Sequence, residues 1–167
     1  MTTSTIIAIL QLTVPVILLT APFLYRRKGR RMAAFCINMS LRPKCRKVYM
    51  LVLSMAVVLF NYSFFAIQGA TLWQVPGLLL GLLLLRYRLT DPMLHWIHED
   101  RVIQGLVLGL FLLSMVTTEL YPLSASMALV MTSAMFYPSR RILRHAEDHR
   151  HHVLYGMSDE EIIDMYF

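Results

Sequence analysis

Cysteine is scarce in this sequence: Cys36 and Cys45 are the two present, both in one basic stretch. Two thiols nine residues apart do not make a metal site by themselves, and on a reducing side of a membrane they are expected as free thiols. Also missing are a glycine-rich nucleotide loop with its lysine, an HExxH pair and a nucleophile elbow. Their absence removes the usual signatures of nucleotide, zinc-protease and hydrolase chemistry. Acidic residues are absent from Arg26–Lys47 altogether, although that stretch holds nine Lys and Arg.

What the sequence has in quantity is apolar residues, 57% of the chain, gathered in long runs. Val102–Leu120 admits one Gln, one Ser, two Thr and one Glu, where a surface helix would show a polar face every few residues. Runs of this kind predict an all-α fold of polytopic membrane type with five crossings. The segments are Ile6–Tyr25, Val48–Ile67, Thr71–Leu85, Val102–Leu120 and Leu123–Tyr137. The third is the shortest, and its 15 residues would rise roughly 22 Å. Residues 1–138 are expected as the transmembrane bundle, including a basic cytoplasmic loop at 26–47, and residues 139–167 as a cytoplasmic tail.

The formal charge of +6 has a position that matters more than its size. All 16 Lys and Arg lie at 26–47, 86–101 and 139–167, in groups of nine, three and four. With the N-terminus outside and the C-terminus cytoplasmic, every group falls on one side, as the positive-inside rule requires. Phosphate neutralisation is then not needed to explain the charge, and no nucleic-acid partner is expected. Arg26, Arg27, Lys28, Arg30, Arg31, Arg42, Lys44, Arg46 and Lys47 read as a membrane-surface or partner contact. The expected location is a membrane, with a bacterial inner membrane preferred, and the expected partners are membrane lipids and other membrane subunits. A homo-oligomer is compatible with the same pattern.

Small residues recur at four-residue spacing, which puts them on one helix face. Gly77 with Gly81, and Gly105 with Gly109, are candidate helix-packing positions. In the tail, Ser158 and Glu161 have the spacing of a capping box, flanked by Met157 and Ile162 at the positions of a hydrophobic staple.

The histidines are the main chemical clue. His95, His98, His145, His149 and His152 are candidate metal ligands, since His145, His149 and His152 share a helical face and imidazole suits Zn or Fe. No cofactor is otherwise expected. The stretches His95-x-x-His98 and His145-x-x-x-His149-x-His151-His152 loosely resemble the histidine clusters of membrane hydroxylases and desaturases. That resemblance implies two irons and oxidation of lipid chains. The chain departs from those families in having too few histidines for three boxes. The leading functional expectation is a small accessory or regulatory subunit of a membrane assembly, which favours a non-enzymatic role. A metal-dependent enzyme at the membrane interface and a small oligomeric transporter are the alternatives, and proton sensing by the histidines is a further reading.

Overall fold

A computed structural model describes residues 30–69, 72–116, 118–148 and 158–166, together with Thr13, Pro15, Ile17, Leu18 and Thr20. Among the described residues there are eight α-helices and no strand. They are α1 (Arg30–Leu41), α2 (Pro43–Gln68), α3 (Val75–Leu84), α4 (Tyr87–Glu99), α5 (Arg101–Met115), α6 (Tyr121–Met135), α7 (Arg140–Asp148) and α8 (Asp159–Tyr166). Single 3₁₀ turns at Leu72–Gln74 and Thr118–Leu120 precede α3 and α6.

The breaks between helices have local causes. Arg42 is extended and Pro43 takes the first position of α2, where its missing N–H is no loss. Gly69, at φ 80°, ends α2 with its N–H on the Phe65 carbonyl, a backbone geometry that suits glycine. The Gln74 amide then donates to the Gly69 carbonyl at 3.0 Å and fixes the turn into α3. Asp100 is extended between α4 and α5, and its carboxylate accepts the Val102 N–H at 2.8 Å as an N-cap.

These breaks overturn the five-crossing architecture. Among the described residues one helix, Pro43–Ala66, is long and apolar enough to cross a membrane. Segments three, four and five are helices of 10, 15 and 15 residues. They rise about 15 to 22 Å against a hydrocarbon layer of about 30 Å. Segment one lies largely outside the described residues. The outward N-terminus and cytoplasmic C-terminus rest on an odd count of crossings, and the inner-membrane location rests on that orientation. Both fall with the count. Among the described residues the fold is a packed all-α bundle of mostly short helices around one long one.

Helix α2 packs against α3 and α6, α4 against α6, α5 against α6, and α8 against α1. One core joins them: Cys36 and Met39 of α1, Met50, Leu53 and Val57 of α2, Leu84, Leu94, Ile97, Val130 and Ala134, then Tyr137, Ile142, Ile162 and Tyr166. Its members come from both sides of Pro138. Two polar side chains inside the bundle bond across helices. Ser54 Oγ donates to the Gly81 carbonyl at 2.7 Å, and Asn61 Nδ2 to Ser126 Oγ at 2.8 Å. The outward faces of α2, α3 and α5 are apolar too, with Val52, Leu59, Leu79, Leu82, Leu106 and Leu113 each more than half exposed.

The glycines divide into two sets. A Cβ at Gly77 would collide with the Asn61 amide, and one at Gly81 would sit 2.8 Å from Val58 Cγ2, so both lie against α2. Among the described residues, a Cβ at Gly105 or Gly109 would meet nothing within 4 Å.

Candidate functional site: a buried histidine, tyrosine and aspartate corner

Four residues of α4 stand at four-residue intervals, Tyr87, Asp91, His95 and Glu99, and such residues share a helix face. That face turns toward Tyr137, which follows α6, and toward Arg46 near the start of α2. Tyr137 is fully buried, and its hydroxyl donates to Asp91 Oδ1 at 2.5 Å. The His95 ring meets the Tyr137 ring edge to face at 4.9 Å. Tyr49 of α2 lies 6.2 Å from the Tyr137 ring and 6.2 Å from Phe35 of α1, extending an aromatic row across the bundle. The Tyr49 hydroxyl donates to the Ser133 carbonyl at 3.0 Å.

His95 is 4% exposed, and among the described residues its Nδ1 has no hydrogen-bond partner. Arg46 Nε is likewise buried without one. Burial disfavours the charged ring and lowers the His95 pKa below its ordinary value. Asp91 and Glu99 oppose that shift, while Arg140 and Arg46 reinforce it. Burial also pushes Tyr49 up to about 12. Tyr137 is raised further still, first by burial and then by its bond to the Asp91 carboxylate.

His98 sits one turn on. Its Nδ1 lies 2.9 Å from the Ala134 carbonyl, and because a carbonyl only accepts, Nδ1 carries the hydrogen in the neutral ring. The Tyr166 backbone of α8 also bears on this ring and, like Ala134 and Glu99, favours its protonated form. Burial outweighs all three and lowers the His98 pKa. Tyr166 itself is buried and donates from its hydroxyl to the Phe136 carbonyl at 2.7 Å. Thus α8 is fastened at the residue beside Tyr137. Glu99 holds the start of α7, accepting the Arg140 N–H at 2.6 Å with the Arg140 Nε 3.6 Å from its second oxygen.

Helix α8 of the tail packs on its own chain. Ile162, Ile163 and Tyr166 are buried, and α8 packs on α1 and α7. Ser158 Oγ accepts the Glu161 N–H at 3.3 Å and the Glu161 carboxylate accepts the Ser158 N–H at 3.0 Å, a reciprocal cap on α8. The apolar side of α8 is therefore used internally. The expectation of other membrane subunits as partners rests on the five-crossing architecture and falls with it. Membrane lipids and a homo-oligomer were expected from the same five-crossing surface and are corrected with it. The accessory-subunit function, the interfacial lipid enzyme and the oligomeric transporter also require that surface and are set aside for the same reason.

Of the candidate metal ligands, His95 and His98 belong to the corner just described. The His145 side chain and residues His149 and His152 lie outside the described residues. Among the described residues no three His, Cys, Asp or Glu stand together as a metal site. In the basic stretch, Arg42, Lys44 and Lys47 are exposed and Arg46 is half-buried. Lys47 Nζ lies 5.3 Å from the Tyr87 ring centre. Arg31 is exposed, Arg30 opens α1, and Arg26, Arg27 and Lys28 lie outside the described residues. Both cysteines are free, with Cys36 buried and its thiol pushed up to about 12 by burial.

The sequence alone singles out His95 and His98 as candidate ligands and Arg46 as a surface contact, but not Asp91 or Tyr137, nor Arg46 as a neighbour of the histidines. The regular spacing of Tyr87, Asp91, His95 and Glu99 was the available signal. Comparison with protein families, with curated proteins and with solved structures gives no match.

Proposed function

We propose that this chain is a proton-responsive helical module, in which neutral His95 and His98 keep α8 closed on α1 and their protonation releases it. The observation that carries this reading is His95, 4% exposed with Nδ1 unpartnered among the described residues, one turn from His98. A charge created there loses water without gaining a hydrogen-bond acceptor at that nitrogen. The charged groups acting on His95 are Asp91 and Glu99 from α4, Arg46 from α2 and Arg140 from α7. The Tyr87, Tyr137 and Tyr166 phenols complete the surroundings of Asp91 and Arg46. Two carboxylates and two guanidinium groups balance, so burial decides which form of the ring fits.

The route to α8 is short. His98 touches the Tyr166 backbone, and Tyr166 is anchored on Phe136, next to the ring that packs on His95. Hydrogen exchange of the α8 amides, followed from about pH 8 to about pH 5, tests the reading in the region where histidine titrates. Protection of α8 should fall with acid while the centre of α2 stays protected. His95→Phe with His98→Asn, which keep a ring and a donor respectively, should flatten that response. A response identical in the double variant, or none in the parent protein, overturns the proposal. A profile that a chelator shifts would instead assign the histidines to a metal.

A further inference from the structure

Helices α1 and α2 leave an open groove of about 600 Å³ between them, lined in part by Phe35 and Tyr49 of the aromatic row. Its volume is within the range of about 300 to 1,000 Å³ that small-molecule sites occupy. Phe35 and Met39 of α1 form one wall, and Val48 and Val52 of α2 the other. Val48 and Val52 are each 59% exposed, so this wall presents apolar surface to the outside. Arg42 and Lys44, both exposed, stand at the end where the two helices join. Among the described residues no acidic side chain lines the groove, and none occurs anywhere in 30–47. An apolar trough with cations at one end complements a molecule with a hydrocarbon chain and an anionic head.

We propose that this groove binds a free single-chain anionic amphiphile, its chain along Phe35, Met39, Val48 and Val52 and its head on Arg42 and Lys44. A carboxylate can accept bidentate hydrogen bonds from Arg42, with Lys44 as a second point charge. The chain would cover the two exposed valines and recover the transfer free energy of that apolar surface. The proposal does not rest on the proton response: the groove shares Phe35 and Tyr49 with the aromatic row, but neither His95 nor His98 lines it.

Cys45 supplies a reporter. It lines the groove and is half-buried, whereas Cys36 is fully buried with its thiol raised to about 12, so alkylation at neutral pH should mark Cys45 first. The probe is decanoate, used below its critical micelle concentration on the full chain, with decanol and inorganic phosphate as the chain-only and head-only controls. Decanoate should slow Cys45 alkylation saturably, with decanol weaker and phosphate without effect. Arg42→Gln with Lys44→Gln should weaken decanoate about tenfold, the size of two exposed ion-pair contributions taken together. Val48→Glu, a change at an exposed position, should abolish protection while circular dichroism stays unchanged.

Equal protection by decanol and decanoate overturns the assignment of the head to Arg42 and Lys44. Protection by phosphate alone, or by phosphatidylglycerol vesicles without any from decanoate, overturns the free-amphiphile site. Unchanged decanoate protection in Val48→Glu overturns the groove as its location.

Discussion

Tyr137 and Asp91 are 46 residues apart in sequence, and the phenol of one donates a 2.5 Å hydrogen bond to the carboxylate of the other. This bond ties the end of α6 to the middle of α4 and presents the flank of the Tyr137 ring to His95. Tyr137→Phe keeps the ring and removes the donor. Hydrogen bonds to charged groups contribute about 1.5 to 3 kcal/mol, so the variant should lose stability of that order. A denaturant melt with unchanged slope and a lower midpoint is the expected result. An unchanged midpoint would show that Asp91 finds an equivalent donor in water.

The glycines give opposite expectations for the same substitution. Gly81→Ala places a Cβ 2.8 Å from Val58 Cγ2 and 3.3 Å from Val57 Cγ1. Overpacking of this kind costs about 1 to 3 kcal/mol. At Gly105 and Gly109 there is open space among the described residues, so alanine adds helix propensity of about 0.8 to 1 kcal/mol with no clash. Thermal melts of the three single variants should therefore fall on both sides of the parent.

These contrasts show which features could be read from sequence. Helical character was legible in every apolar run, because composition and spacing are local. The number of spanning helices was not, since it depends on where helices stop. Thr71–Leu85 and Val102–Leu120 look continuous in composition, yet the structure starts α3 at Val75 after a 3₁₀ turn and ends α5 at Met115. The cap on α8 was legible for the opposite reason, as Ser158 and Glu161 carry it within one turn. The corner around His95 was half legible. Tyr87, Asp91, His95 and Glu99 form a visible row on α4, but Arg46 looks like one more cation in a basic stretch. Tyr137 looks like the end of an apolar run. Only packing brings those two to the row.

Stability should depend on pH in a defined window. The folded-state pKa values of His95 and His98 lie below the ordinary histidine value, which is about 6.5 in the unfolded chain. As pH falls through about 6.5 the unfolded chain takes up protons that the folded chain resists, so stability is lost from there downward. It levels off once the folded-state values are passed. Above about 7 both histidines are neutral in both states and contribute no slope. Urea midpoints measured between about pH 8 and pH 5 should be flat and then decline. His95→Phe should reduce the decline, and His98→Asn should reduce it separately.

The start of α8 makes a separate prediction, because its cap is exposed and local. Hydrogen bonding from the Ser158 backbone N–H, and then from its side chain, to the Glu161 carboxylate lowers the Glu161 pKa below its ordinary value. That contribution is present above the unfolded carboxylate value and is lost as pH falls through the folded one. Ser158→Ala removes the acceptor for the Glu161 N–H, a change that typically costs about 1 kcal/mol. Since Ile162, Ile163 and Tyr166 hold the other side of α8 in the core, the loss should appear as faster exchange of the α8 amides, with little change in the global melt. Equal loss of protection in α2 would mean that α8 and the bundle unfold as one unit.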